Sequence, residues 1–288
     1  MAKDRRKKYE IDMCNGPVLK KLLIFSIPLI CSGVLQLLFN AVDVVVVGRF
    51  AGDNSLAAVG ATTSLINLLV NLFVGLSIGA NVLVARYYGA KLQKELDETV
   101  HTAIMLSIVG GILLTIIGVA FAPSFLKWMA TPANILDLAV TYLRVYFIGM
   151  IPMLVYNYGA AILRAVGDTQ RPLYYLIAAG VINVSLNLFF VIVLHWGVFG
   201  VGLATTLSQV VSAILVTRCL LKGTGAIKLV PKELKIYKDK LIRIMKIGVP
   251  AGLQGILFSI SNVIIQSSIN SFGEIVVAGN SPLIELLH

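Results

Sequence analysis

The stretch LLIFSIPLICSGVLQLLFNAVDVVVV, residues 22–47, decides the fold class of this protein. Its single charged residue is Asp43, and the run exceeds the roughly 20 apolar residues that a helix needs to cross a bilayer. A helix satisfies its backbone hydrogen bonds internally, so an apolar run of this length predicts a transmembrane helix and not a strand. The run is also too long for the core of a signal peptide, so we expect it to be retained as the first span.

The rest of the chain has the same character. Of the 288 residues, 58% are hydrophobic and 13% are charged, roughly half the charged share of a soluble domain. The sequence therefore predicts an all-α integral membrane fold. Its seven spans are expected at residues 22–47, 57–84, 100–121, 135–163, 173–194, 198–221 and 241–269.

The basic residues predict the orientation of these spans. All of the 24 Lys and Arg residues except Arg49, Lys127 and Arg144 fall in the N-terminal tail or at loops on the same side of the seven spans. Cytoplasmic loops carry such an excess, so we expect a cytoplasmic N-terminus in a cell (plasma or inner) membrane. The net charge of +10 is then explained by topology and by the lipid bilayer as partner, and nucleic acid is not an expected partner.

Spans one and seven share a sequence pattern. The matching positions are Pro28 with Pro250, Gly33 with Gly255 and Asn40 with Asn262. The two spans run in the same direction, and a parallel repeat of this kind is typical of transporters built from two lobes. We therefore predict four segments. They are a basic tail at 1–21, a six-helix N-terminal lobe at 22–221, a cytoplasmic linker at 222–240, and the start of a second lobe at 241–288.

Asp43 is the first candidate for a functional site, because a carboxylate within a span is costly unless it meets a polar cavity, a partner or a cation. Asn183 and Asn187 share one face of span five, and Thr205 lies near the start of span six. Counted along the helix rise, Asp43, Asn187 and Thr205 reach a comparable depth. Their oxygens suit a hard cation or a proton. The alternative is that the asparagines and the threonine only bond the helices together.

Other polar or helix-breaking residues are candidates for a substrate cavity or a hinge. They are Pro28, Asn40, Asn157 and Arg144. Arg144 is either a counter-ion for Asp43 or a structural residue that reaches outward near Asp137, and we favour the structural role. Gly75 and Gly79, four residues apart, indicate a surface for helix packing.

No enzyme signature is present in the sequence: there is no phosphate-binding loop, no paired histidines for a metal, and no G-x-S-x-G. The three cysteines have no metal-ligand spacing. We therefore expect a protein that is not an enzyme and that binds no cofactor.

Several of these motifs together resemble the multidrug and toxic compound extrusion (MATE) family. The resemblance rests on Ser26-Ile-Pro28, on Asn40-x-x-Asp43 followed by Gly48, on LRAVGDTQRP at residues 163–172, and on Asn183-x-x-x-Asn187 followed by Gly200-x-Gly202-x-Ala204-Thr205. It implies twelve helices in two lobes and the export of small, mostly cationic organic compounds against an inward flow of Na⁺ or H⁺.

The resemblance also implies roles for individual residues. Asp43 matches the aspartate that takes the coupling ion, and Asn183, Asn187 and Thr205 match positions that complete that site. Asp43 and Asn187 would be the ligands of a Na⁺ ion. Some relatives have an aspartate where Asn187 stands here, so Na⁺ and H⁺ both remain open as the coupling ion.

The end of the chain departs from the family pattern. Residues 282–288 replace the further helix that many relatives continue into. We expect a C-terminally truncated or frame-shifted chain whose missing second lobe is needed for transport. Two alternatives stay open. One is a lipid-linked sugar flippase of related architecture, which needs several basic residues in its cavity, and the other is a non-transporting scaffold or inactive fragment.

Overall fold

The computed structural model describes Ile11 and residues 18–223 and 227–270, and these residues are almost entirely helical. The helices are α1 Val18–Phe50, α2 Asp53–Gly89, α3 Gln93–Trp128, α4 Ala133–Ile148, α5 Met150–Ala165, α6 Gln170–Leu188, α7 Gly197–Leu221 and α8 Lys238–Asn270. A π-helical turn, Phe189–Val193, extends α6, and a 3-10 turn, Pro231–Glu233, precedes α8. The predicted all-α fold is confirmed.

Six of these helices are long and apolar enough to cross a membrane, and α4 and α5, bent at their junction, are long and apolar enough for a further span when they are taken together. Several of them begin before the predicted span; α1 starts at Val18 and α8 at Lys238. The apolar pattern marks only the part of a helix that contacts lipid, and the backbone stays helical through the polar turns beyond it. Most of the predicted tail at 1–21 and the end of the predicted second lobe, 271–288, lie outside the described residues.

The predicted fourth span, residues 135–163, is divided between α4 and α5. It bends by 47° between α4 and α5. Gly149 caps α4 by donating its backbone N–H to the carbonyl of Tyr146 at 3.0 Å, and Pro152 lies in the first turn of α5. Proline is tolerated there because the first turn of a helix has no internal partner for its N–H groups. Both halves are equally apolar, so hydropathy gave no sign of the break.

Helix α2 is the centre of the bundle and contacts α3, α4, α5 and α8. Around it lies a single apolar core, whose largest fully buried side chains include Tyr158, Phe147 and Leu96. Helix α1 instead lies at the periphery and contacts chiefly α6. The position of α1 therefore depends on a small number of specific contacts with α6.

The backbones of α2 and α8 touch through glycines. A Cβ atom built on Gly75 would lie 2.2 Å from the backbone nitrogen of Gly252, and one on Gly79 would lie 2.4 Å from the carbonyl oxygen of Ile244. Beyond these contacts, Asn71 Nδ2 donates to Ser259 Oγ at 2.7 Å. The interpretation of Gly75 and Gly79 as a packing surface is confirmed, because only residues without a Cβ allow helices to approach this closely in a membrane.

The start of α8 is fixed to α3 by charge. Lys240 is buried, and its Nζ contacts Glu95, Asp239 at 2.6 Å and Glu98 at 3.2 Å. These three carboxylates are grouped closely enough to hold a metal ion, but the ammonium group of Lys240 already supplies the positive charge between them. The predicted linker at 222–240 is therefore held against the bundle at its end.

We predict that Gly75→Ala lowers the free energy of unfolding by about 1–3 kcal/mol, because the new methyl group meets the α8 backbone and forces the helices apart. Gly33→Ala on α1 is the matched control, since no atom lies within 4 Å of its added Cβ. That control is expected to be neutral or to stabilise by about 0.5–1 kcal/mol. Thermal unfolding in detergent measures both, and equal stabilities for the two variants would contradict the packing described here.

Candidate ion-coupling site

The contact between α1 and α6 determines where the candidate site lies. The ring of Phe39 lies over Gly180, where a Cβ atom would be 1.9 Å from the ring. Asp43 follows Phe39 by one helical turn, and Asn187 follows Gly180 by two turns on the same face. The close approach at Gly180 therefore brings Asp43 against Asn187.

The four residues expected from the sequence to form an ion-coupling site lie together and are joined by hydrogen bonds. Asn187 Nδ2 donates to Asp43 Oδ1 and also to Asn183 Oδ1, the latter at 3.3 Å. Asn183 Nδ2 donates to Thr205 Oγ1 at 3.4 Å, and that hydroxyl donates to the carbonyl of Val201 at 3.0 Å. One polar network thus connects α1, α6 and α7.

Burial changes sharply across this network. Asn187 is 0% exposed and Asn183 is buried, while Asp43 and Thr205 are half-buried. The amide nitrogen of Asn187 is turned toward Asp43, and its oxygen Oδ1 is buried with no hydrogen-bond partner among the described residues. A buried acceptor of this kind costs about 1–3 kcal/mol unless a ligand or another donor reaches it.

A cavity of about 440 Å³ opens beside the network, and Asp43 and Thr205 are part of its wall. Asn40, which the sequence made a candidate for a substrate cavity or a hinge, lines the same cavity. The wall contains further polar and aromatic residues that sequence reasoning missed: Gln36, Thr63, Asn67, Tyr142, Tyr146 and Gln209.

A signal for part of this wall was present in the sequence. Gln36, Asn40 and Asp43 follow one another at helical spacing, so they mark one polar face on an otherwise apolar helix. Thr63 and Asn67 are spaced in the same way on α2. The tyrosines gave no comparable signal, because aromatic residues are common on lipid-facing and core-facing surfaces alike.

Arg144 does not line this cavity. Its side chain is exposed, and its Nε donates to the carbonyl oxygen of Val119 on α3 at 3.3 Å. Arg144 lies two residues from both Tyr142 and Tyr146, and residues two apart on a helix point to nearly opposite sides. A counter-ion role for Asp43 therefore does not fit this geometry. No ion pair between Arg144 and Asp137 is found in the described part of the chain either.

The two remaining candidates also lie away from the polar network. Asn157 is half-buried on α5 and donates to the carbonyl of Met153, one turn back in its own helix, at 3.0 Å. Pro28 is buried within α1, which continues unbroken through it. In the conformation described, α1 has no hinge opened at Pro28, and neither residue contributes to the cavity wall.

Comparison with known proteins gives consistent matches. The MatE family model matches residues 28–189. The chain is 31% identical over 263 residues to the "Probable multidrug resistance protein YoeA" of Bacillus subtilis, covering 89% of this chain and 57% of that protein. It is 28% identical over 268 residues to the "Probable multidrug resistance protein YpnP" of the same organism, covering 93% of this chain and 60% of that protein.

Solved structures agree with these matches. A crystal structure of MATE in the bent conformation superposes with a TM-score of 0.80 at 26% identity, covering 94% of this chain and 63% of that one. The chain thus spans 57–60% of the length of the two Bacillus subtilis relatives.

We predict that Asn187→Leu lowers the free energy of unfolding by about 1–3 kcal/mol, because it leaves polar groups of Asp43 and Asn183 without their shared donor. Asn157→Leu is the matched control, since Asn157 bonds only within its own helix, and we expect a loss below about 1 kcal/mol. Thermal unfolding of the two purified variants in the same detergent tests this. Equal losses would show that the network does not hold α1 to α6.

Proposed function

Since the chain belongs to the MatE family, we propose that it supplies the first lobe, and the first helix of the second lobe, of a secondary antiporter. The transporter exports small, mostly cationic organic compounds, and an inward flow of Na⁺ or H⁺ drives the export. It is not an enzyme, and it resides in the cell membrane with a cytoplasmic N-terminus.

The observation that carries the proposal is the hydrogen bond that Asn187 Nδ2 donates to Asp43 at the edge of a polar cavity, while Asn187 Oδ1 is buried with no hydrogen-bond partner among the described residues. A carboxylate, an amide oxygen and the Thr205 hydroxyl are ligands that hard cations prefer. The nitrogen and oxygen of an amide exchange places when the group turns by half a revolution. Such a rotation of the Asn187 side-chain amide presents its oxygen to Asp43.

Binding of either candidate ion, H⁺ or Na⁺, uses this same rotation of the Asn187 amide group. Protonated Asp43 becomes a hydrogen-bond donor and pairs with the Asn187 oxygen. A Na⁺ ion is held instead between that oxygen, the Asp43 carboxylate and Thr205. In either case the ion neutralises Asp43 and gives the Asn187 oxygen a partner, while the rotation gives up the bonds that Nδ2 donates to Asp43 and Asn183. The occupied site is therefore favoured when the contacts of the ion outweigh those two bonds.

The cavity wall favours a cationic organic substrate. Tyr142 and Tyr146 offer aromatic faces to a cation, and Asp43 offers a negative charge. No Lys or Arg is among the described residues that line the cavity. A flippase for lipid-linked sugars needs basic groups for the pyrophosphate, so the polarity of this wall favours drug-like cations over that alternative.

Ion and substrate meet at shared residues. Asp43 and Thr205 belong both to the hydrogen-bonded network and to the cavity wall. A cation held at Asp43 removes the negative charge that attracts a cationic substrate, so each ligand lowers the affinity for the other. This antagonism is what antiport requires, provided that a second lobe closes the cavity and the two lobes alternate between the two sides of the membrane.

We predict that the coupling ion raises the thermal unfolding midpoint of the purified chain and that Asp43→Asn abolishes this effect. Na⁺ is compared with choline at constant ionic strength, and pH is varied separately. A ligand at about 100 times its dissociation constant adds roughly 2.7 kcal/mol to stability. Asp137→Asn, which alters an exposed carboxylate, is the control and should keep the full response.

Transport itself is tested by joining residues 1–270 to the remaining helices of the Bacillus subtilis relative YoeA. In proteoliposomes we expect an imposed Na⁺ or pH gradient to drive movement of a cationic dye. Asp43→Asn should reduce the gradient-driven rate at least tenfold, while Asp137→Asn should leave it unchanged. Gradient-driven transport at full rate in Asp43→Asn would refute the role of Asp43. If the chain is instead a non-transporting scaffold, neither the fused protein nor its variants will transport the dye.

A further inference from the structure

A second cavity, of about 500 Å³, lies between α5 and α7 and shares no lining residue with the cavity beside Asp43. Its wall is apolar over most of its length and includes Pro152, Val155 and Ile214. Arg218 and Lys222 line it as well, near the end of α7. We refer to this cavity as the α5–α7 groove.

The groove lies between two close contacts of the α4–α5 span with α7. An added Cβ at Gly149 would lie 2.8 Å from Thr206 Oγ1, and one at Gly159 would lie 2.7 Å from Val216 Cγ2. Pro152 and Val155, which line the groove, fall between these two positions. The bend of 47° between α4 and α5 lies at the first of them.

The groove faces outward from the bundle. Ile214 is 58% exposed, and nothing in the described ranges covers it. In a helix bundle within a bilayer, an exposed apolar surface at this position contacts lipid chains. From Val210 to Lys222 the helix rises about 18 Å, which is comparable with one leaflet of a roughly 30 Å hydrocarbon core.

The charged end of the groove is built from one helix face. Arg218 and Lys222 are four residues apart, so their side chains lie one above the other. Both are exposed, and neither forms an ion pair with any residue in the described ranges. This end of α7 lies on the side where the Lys and Arg residues of the chain concentrate, which is the proposed cytoplasmic side.

We propose that the α5–α7 groove binds one anionic phospholipid of the cytoplasmic leaflet. An acyl chain lies along the apolar wall, and the phosphate is held between Arg218 and Lys222. The apolar wall, which follows α7 over about the depth of one leaflet, favours an acyl chain as the occupant. Arg218 and Lys222, which have no ion-pair partner in the described ranges, select at the headgroup level a lipid with net negative charge.

The test uses the purified full chain in nanodiscs of equal parts dioleoylphosphatidylglycerol and dioleoylphosphatidylcholine. After release into mild detergent, native mass spectrometry counts the lipids retained. We expect one phosphatidylglycerol to be retained in preference. Arg218→Gln with Lys222→Gln should reduce that preference by roughly tenfold or more, because each basic residue near a membrane surface contributes about a factor of five.

Arg86→Gln with Lys94→Gln is the matched control, because it removes the same two charges from exposed positions at the same end of the bundle. The control should keep the preference. An equal loss in the control would show general surface attraction and overturn the proposal, as would equal retention of both lipids by the unmodified chain.

A second variant tests the apolar wall independently of charge. Ile214→Trp fills the groove from an exposed position without entering the core, and it should lower retention of phosphatidylglycerol by about tenfold with both basic residues intact. Unchanged retention of phosphatidylglycerol in Ile214→Trp would overturn the assignment of the acyl chain to this groove. Displacement of the lipid by millimolar inorganic phosphate would also overturn it, because that result would identify a site for free phosphate.

Discussion

The cost of holding a carboxylate among apolar helices governs much of this structure. Asp43 lies on α1, which is otherwise a peripheral helix that contacts chiefly α6. Its hydrogen bond with Asn187 begins a network that continues through Asn183 to Thr205. The carboxylate, which is costly to place in a membrane, therefore joins the Phe39–Gly180 contact in attaching α1 to the other helices.

The break at Gly149 divides the fourth span into two parts with different surroundings. Before the break, Tyr142 and Tyr146 contribute to the polar cavity beside Asp43. After it, Pro152 and Val155 form part of a groove toward lipid. The two halves of this span therefore line two different spaces, one beside Asp43 and one that faces outward from the bundle.

The helices and the grouping of the polar residues could be predicted from the sequence because a membrane restricts both the composition of a span and the depth at which its residues lie. Apolar runs reveal spans directly, and helical rise converts residue number into depth, which grouped Asp43, Asn187 and Thr205 correctly in space. Rotation about the helix axis was harder to predict. Depth alone made Arg144 a possible partner for Asp43, but the two flanking tyrosines point into the cavity and Arg144 points away from it. Contacts between distant segments, such as Lys240 with Glu95 and Glu98, had no local signal at all.

The interface between α2 and α8 has a consequence for movement between lobes. The internal repeat predicts that α8 is the first helix of a second lobe, while in the structure α8 packs against α2 through Gly75, Gly79 and Gly252. The first turn of α8 is anchored at Lys240, and at its far end Asn270 Nδ2 donates to the carbonyl of Met129 at 3.0 Å. Because α8 is attached to the neighbouring helices at both ends and touches α2 between them, we expect α8 and α2 to move as one unit and not independently of each other.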